Sequence, residues 1–352
     1  MKQIKIQAAT ASASFVMALG ILIVGAFQQI SFLKFAVGHI ATLVLLFFLL
    51  GLFACYTRDA IRGVMRTKHF EHPIQSFAIG TWIAATSVTI LAILKELPML
   101  KAISLLLFGL NIGLITIYLV QIIRNYIHLF WRESLRTRLE RINGIILLAC
   151  VAVQSIVIAG ENLFQNSLPL WIAKLLILLG ICFYAVGFLF IISRYVMYHK
   201  KEVFLHWDNT NCIIHGAMSI TGLACVTSKA FSQDVAAGIW LWVLFCFLIV
   251  ESFEIIRAIV RIKRYGVKQG ILVYSVSQWS RNFTFGMFLA FTIHLSLKES
   301  FLQNPVFAIV RMNILHAASY LVLLLFVIET FIFATHIVTR WKSYHQRVSV
   351  AA

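Results

Sequence analysis

Apolar runs of about 20 residues, the length an α-helix needs to cross the hydrocarbon core of a bilayer, recur ten times along this chain. They occupy residues 11–27, 36–56, 73–94, 102–123, 144–160, 170–193, 211–228, 236–259, 271–295 and 306–338 of 352. A chain built this way has no single soluble core to fold around. Its composition agrees: 61% of residues are hydrophobic and 12% charged, against about 45–50% and about 25% in soluble domains. Aromatics at 13% and the lack of biased tracts exclude disordered and low-complexity classes. The expected fold class is all-α, a polytopic membrane protein of ten transmembrane helices in one domain over residues 1–352.

Thirty Lys+Arg residues against thirteen Asp+Glu give a net charge of +17 on this apolar chain. Sorting the basic residues by connection explains the excess. Twenty-two fall on one alternating set of connections and tails: Lys2 and Lys5; Arg58, Arg62, Arg66 and Lys68; Arg124, Arg132, Arg136, Arg138 and Arg141; Arg194, Lys200 and Lys201; Arg257, Arg261, Lys263, Arg264 and Lys268; Arg340, Lys342 and Arg347. The other set carries only Lys34, Lys95, Lys101, Lys229 and Lys298. Because cytoplasmic loops of membrane proteins are the basic ones, both termini are expected in the cytoplasm of a multi-pass protein of the cell (plasma) membrane. Nucleic-acid binding is not expected, since the charges are scattered and no binding motif occurs; membrane lipids with anionic headgroups suffice as partners. Lys2 and Lys5 before the apolar stretch from Phe15 to Phe27 imitate a signal peptide, but the regular pairing of later segments favours an uncleaved first span. Six cysteines lie in or beside apolar segments without a CxxC pair and read as packing residues.

Connections of the weakly basic set are short, and three contain proline: Pro98, Pro169 and Pro305. The chain therefore divides into five helical hairpins at approximately 11–56, 73–123, 144–193, 211–259 and 271–338, a repeat of the kind transporter folds use. The two helices of each hairpin differ. Gly, Ala, Ser, Thr and Cys make up 42 of 99 residues in the odd spans and 31 of 124 in the even ones. Small residues permit close helix approach or line a polar path, whereas Leu- and Phe-rich helices suit lipid. An inner ring of odd helices enclosed by even ones is expected. In the third span Ser76, Gly80, Ala84 and Ser87 recur on one helical face. With Ser219 and Gly222 of the seventh span and Phe283 of the ninth, they are candidates for lining a pore or for packing helices tightly.

The ninth span is the most unusual stretch, polar from Tyr274 to Gly286. Gln278, Arg281, Phe285 and Thr292 share one of its faces at about 100° per residue. Arg281 stands near mid-membrane, a costly position unless it is paired or hydrated. Glu251 and Glu254 on the eighth span and Glu329 on the tenth lie at similar depth. Two readings of Arg281 are open: an anion site on a permeation path, or a helix-locking ion pair with one of those glutamates. Asn282-Phe283-Thr284 matches the glycosylation sequon at a membrane depth that makes the match spurious. His39, His215, His294, His316 and His336 are candidate haem ligands, but no pair at matched depth and spacing emerges, and snorkelling or helix-to-helix hydrogen bonding is the expected role. No Ser/His/Asp set, HExxH or phosphate-binding glycine loop occurs. Neither enzymatic activity, nor a cofactor, nor a metal site is expected.

Ten spans in five hairpins, His72-Pro73 opening the third, Gly80-Thr81 within it, His215-Gly216-Ala217 in the seventh and Phe283-Thr284-Phe285-Gly286 in the ninth form one pattern. It resembles the tellurite-resistance/dicarboxylate transporter family, related to slow-type (voltage-dependent) anion channels and malate and sulfite permeases. The resemblance implies a homo-trimer whose protomers each enclose a central pore formed by the odd helices. It also implies an aromatic gate at the second phenylalanine of the ninth-span motif, Phe285. Trp82-Ile83 stand where malate and sulfite members carry a proline-methionine pair, and Gly286 replaces a proline common in eukaryotic members. What is implied is therefore passage of small inorganic or carboxylate anions rather than of one named substrate. Two alternatives accompany it. One is a proton-coupled C4-dicarboxylate carrier or sulfite/tellurite exporter titrating at His215 or Glu251. The other, from a different class, is a haem-binding membrane redox bundle.

Overall fold

Long apolar runs free of internal proline propagate as helix once nucleated. The computed structural model describes residues 8–132, 134–165, 167–198, 203–296 and 304–350, so Lys2, Lys5, Lys200, Lys201 and Lys298 lie outside the described residues. Its main helices are α1 (Thr10–Gln29), α2 (Gly38–Ile61), α3 (Gln75–Glu96), α4 (Lys101–Trp131) and α5 (Gly144–Leu163). They continue with α6 (Leu170–Tyr198), α7 (Asn209–Ser228), α8 (Gln233–Gly270), α9 (Gln278–His294) and α10 (Pro305–Val350). Among the described residues, nine of these are long and apolar enough to cross a membrane. The tenth, α9, has only 17 residues. The span predicted over 271–295 is shortened at its start because Gln278 accepts a hydrogen bond from the Ser275 backbone N–H at 2.8 Å, which fixes where the helix begins. The helices α4, α8 and α10 run well past the spans predicted for them. Basic residues end an apolar stretch but are good helix formers, so the helix outlasts the hydropathy signal.

Burial separates the two kinds of helix. In the most apolar stretches of α1, α3, α5 and α7, 72–94% of residues are buried, against 17–33% in α2, α4, α6, α8 and α10. In α9 Phe283, Thr284, Met287, Leu289, Ala290 and Phe291 are among the buried residues. The odd helices close a ring, α1 on α3, α3 on α5, α5 on α7, α7 on α9 and α9 back on α1. Each even helix lies over a groove of that ring: α2 over α1 and α3, α4 over α3 and α5, α6 over α5 and α7, α8 over α7 and α9, α10 over α9 and α1.

A glycine sits at every ring interface. A Cβ there would collide with Val88 at Gly20, the Leu148 carbonyl at Gly80, the Thr210 carbonyl at Gly144, Thr284 at Gly216 and Ile21 at Gly286. Close approach of odd helices is thus written into at least one glycine per contact. The repeat extends to local backbone, because α1, α3, α5 and α7 each open with a 3₁₀ turn, at Thr10–Ala13, Gln75–Ile79, Gly144–Leu147 and Asn209–Cys212.

A polar clasp closes the basic end beside α1. The turn Arg66–Phe70 between α2 and α3 is tied to Asp59 by Lys68 at 2.6 Å and His69 at 3.3 Å. Burial holds the His69 imidazole below its ordinary pKa, which keeps it neutral, so Nε2–H donates to Asp59 while Nδ1 accepts from the Thr10 hydroxyl at 2.8 Å. All six cysteines are free.

Candidate functional site inside the five-helix ring

The ring encloses a cavity of about 390 Å³. Among the described residues its lining comes from all five odd helices and from none of the even ones. The buried floor is made by Ile21 of α1, Ala84 and Ser87 of α3, Ser155 of α5, Ile220 of α7 and Phe283 of α9. Lining residues then climb each helix to an exposed rim at the short-connection end, where Lys95, Asn162 and His294 stand. The walls between, including Leu91, Ile158, Leu223 and Met287, are apolar. The floor carries hydroxyls: Ser87 donates to Ser155 Oγ at 3.2 Å and accepts from Asn111 Nδ2 at 2.9 Å, a brace from α4. Among the described lining residues Lys95 is the one fixed charge, and no carboxylate is present. Such a compartment sets no fixed negative charge against a small anion.

Along α9 the cavity-facing residues are Phe283, Met287, Ala290 and His294, at helical spacing i, i+4, i+7 and i+11. The polar face predicted from the sequence points the other way. Phe285 is about 200° around the helix from Phe283, and its ring packs edge-on against Phe247 of α8, 5.0 Å between centroids, with His215 behind it at 6.0 Å. Thr292 accepts a hydrogen bond from the Trp240 indole of α8 at 3.0 Å, and Gln278 is occupied at the helix start. Phe285, expected as the gate, and Gln278 and Thr292, expected to line the pore, thus lie outside the lining of this cavity. Helical geometry turns that face toward α8.

Arg281 lies on the same face. Its guanidinium stands 2.7 Å from Glu254 and 3.9 Å from Glu251. Glu254 also receives Arg257 at 3.2 Å, and Arg257 in turn contacts Asn209. Glu251 Oε1 lies 3.4 Å from His215 Nε2. Two arginines against two glutamates make this a compact, charge-balanced knot joining α7, α8 and α9. Glu329 of α10 is buried without an ion pair among the described residues.

Of the small-residue candidates, only Ala84 and Ser87 reach the cavity. Ser76 accepts from Asn125 Nδ2 at 2.8 Å on the α4 side, and Gly80 faces Leu148. Ser219 donates to the His215 carbonyl, and Gly222 receives the Phe291 ring. Ser76, Gly80 and Gly222 thus meet neighbouring helices, and Ser219 its own. The histidines have separate partners: His39 beside Glu96, His215 on Glu251, His294 on the Ala290 carbonyl, His316 on the Met312 carbonyl and His336 against Tyr274. Lys95, Asn162, Ser155, Ile220 and Met287 were not singled out from the sequence, although the 283/287/290/294 spacing is readable there.

A closed ring of small-residue helices around an axial cavity, wrapped by lipid-facing helices, defines a multi-pass membrane protein of the channel or transporter class. The chain matches the voltage-dependent anion channel family over residues 8–344 and belongs to it. At family level it is a membrane anion channel or transporter, in line with the resemblance read from its motifs. No curated protein matches the sequence.

Proposed function

We propose that small inorganic or carboxylate anions cross the membrane along the axis of the odd-helix ring, and that Phe283 closes the path. The observation that carries this reading is the cavity lined by all five odd helices and no even one. Lys95 at the rim attracts anions from one side. Basic connections at the other end, set in the cytoplasm with both termini, raise anion concentration there, an effect that salt weakens. Phe283 is favoured over Phe285 because its buried ring forms the floor, whereas Phe285 rests on Phe247.

The test is flux in proteoliposomes with chloride, nitrate, sulfite, tellurite, malate and succinate. Phe283→Ala is expected to raise flux at least about tenfold, equivalent to ~1.4 kcal/mol of barrier, while Phe285→Ala leaves it near the parent value. The opposite pattern moves the gate to Phe285, where the family resemblance puts it. The trimer that the resemblance implies suits the exposed apolar surfaces of the even helices, and native mass spectrometry of the purified protein measures it.

The contact between His215 and Glu251 behind Phe285 supports a second reading, in which passage is coupled to protons. Malate or succinate uptake driven by a pH gradient, and lost in His215→Gln, supports coupling. Uptake indifferent to the gradient removes it.

A further inference from the structure

A second cavity, larger at about 660 Å³, opens at the basic end between the turn Arg66–Phe70, the entry to α3 and the last turns of α4. Three guanidiniums line it, from Arg66, Arg124 and Arg132. Arg124, His128 and Arg132 recur every fourth residue and stand one above another. Among the described residues none of the three guanidiniums has a side-chain or carbonyl partner, and the Arg132 backbone N–H continues the helix to the His128 carbonyl. Elsewhere Arg136 is paired with Glu140, and Arg257 and Arg281 with Glu254. Among the described lining residues there is one carboxylate, Glu71. A concave site with three unneutralised arginines and one glutamate calls for an anion with more than one charge.

The walls are held in place. Lys68 and His69 fix the turn to Asp59, and Gln121 of α4 donates to the Phe70 carbonyl at 2.9 Å. Beside the basic side chains the site is apolar and open outward. Ile127 lines it, and Trp131, 84% exposed, follows on the same helix. An exposed tryptophan next to a run of arginines marks the level where hydrocarbon gives way to headgroups.

We infer that this cavity binds the phosphate headgroup of an anionic phospholipid, with the acyl chains along the exposed apolar side of α4. Exposed apolar surface next to the arginines favours a lipid over a free phosphate. The site also reaches the inner ring, because its floor residue Asn125 donates to Ser76 in the first turn of α3. A bound headgroup therefore braces an inner helix from outside the ring. This inference rests on the membrane setting alone and stands whichever anion passes through the axis.

The test uses the purified full chain in detergent, read by native mass spectrometry and by titration with cardiolipin, phosphatidylglycerol, phosphatidylcholine and inorganic pyrophosphate. Cardiolipin and phosphatidylglycerol are expected to bind, and phosphatidylcholine not at the same concentration. Replacing Arg66, Arg124 and Arg132 together by glutamine is expected to weaken cardiolipin binding roughly a hundredfold, at about fivefold per arginine. Each single variant carries about fivefold alone, which keeps the test open should the triple variant fold poorly. Glu71→Gln is expected to tighten binding, and the exposed pair Lys263→Gln/Arg264→Gln to leave it unchanged. Equal binding by the triple variant and the parent overturns the site. Equal binding of phosphatidylcholine, or arginine-dependent binding of pyrophosphate without the lipids, overturns the lipid headgroup as its occupant.

Discussion

One helix, α9, presents two faces of opposite character. The face toward the axis carries Phe283, Met287, Ala290 and His294 and is mostly apolar. The face toward α8 carries Gln278, Arg281, Phe285 and Thr292, and each has a specific partner there or at the helix start. In a soluble protein the polar face of a helix marks the watery side. Within a membrane it marks where polar partners are, because an unpaired charge has nowhere else to go. The cavity lies on the side with fewer demands, lined by hydroxyls and apolar walls, and the path proposed above runs there rather than past the charged knot.

The largest expected effect comes from breaking the polar face. Arg281→Gln leaves Glu251 and Glu254 facing one another without their shared cation. Removing one partner of a buried pair costs about 3–5 kcal/mol, and with the Arg281 side chain 27% exposed the lower end applies, about 3 kcal/mol. Thermal melting of detergent-solubilised protein should show a clear loss of Tm. Arg281→Glu combined with Glu254→Arg should recover part of it. Should Arg281→Gln instead melt normally and lose anion selectivity, the contrast between the two faces fails and Arg281 belongs on the path.

Next comes bulk added to the axial face. Ala290→Phe places a ring in the open cavity, so flux is expected to fall about tenfold, ~1.4 kcal/mol of added barrier, with Tm nearly unchanged. A matched loss of Tm and flux would mean that the cavity is closed to side chains and is no path.

Thr292→Val makes the reciprocal change on the other face. It removes the acceptor of the Trp240 indole N–H and leaves that donor buried, a cost of about 1–2 kcal/mol. A lowered Tm with ion flux per folded molecule at the parent level sharpens the distinction. Altered selectivity among the tested anions would blur it.

The limits of sequence reading follow the same division. Hairpins, inner and outer rings and the basic end were legible because they depend on sums: runs of apolar residues, the proportion of small ones, the sorting of Arg and Lys. The importance of α9 was legible too, from the polarity between Tyr274 and Gly286. Which way the helix turns was not, since periodicity defines faces without saying what each one meets. Gly80, Ser219 and Gly222 show the same ambiguity. A small residue permits a pore lining and permits close packing equally, and only the positions of Leu148 beside Gly80 and Phe291 beside Gly222 show what each of those two meets. Lys95 escaped notice because at the end of a span it looks like any loop lysine.

That lysine carries the smallest expected effect and the most discriminating one. Lys95 stands at the exposed rim of the cavity, and its ammonium donates only to the Val24 carbonyl, at 3.4 Å. Its charge is free to act on anions approaching from that side, over a Debye length of about 10 Å at 0.1 M salt and about 3 Å at 1 M. Lys95→Gln is therefore expected to lower anion flux roughly threefold at low ionic strength, as steering by one exposed charge allows. The difference should vanish as salt approaches 1 M, and Tm should hardly move because the side chain is exposed. An equal change made at Lys101, beyond the rim and outside the lining, should do less. Should the two lysines prove equivalent, or the loss persist at high salt, Lys95 acts through the structure of the rim rather than through its field, and the axial face loses its single fixed charge as a recruiter of anions.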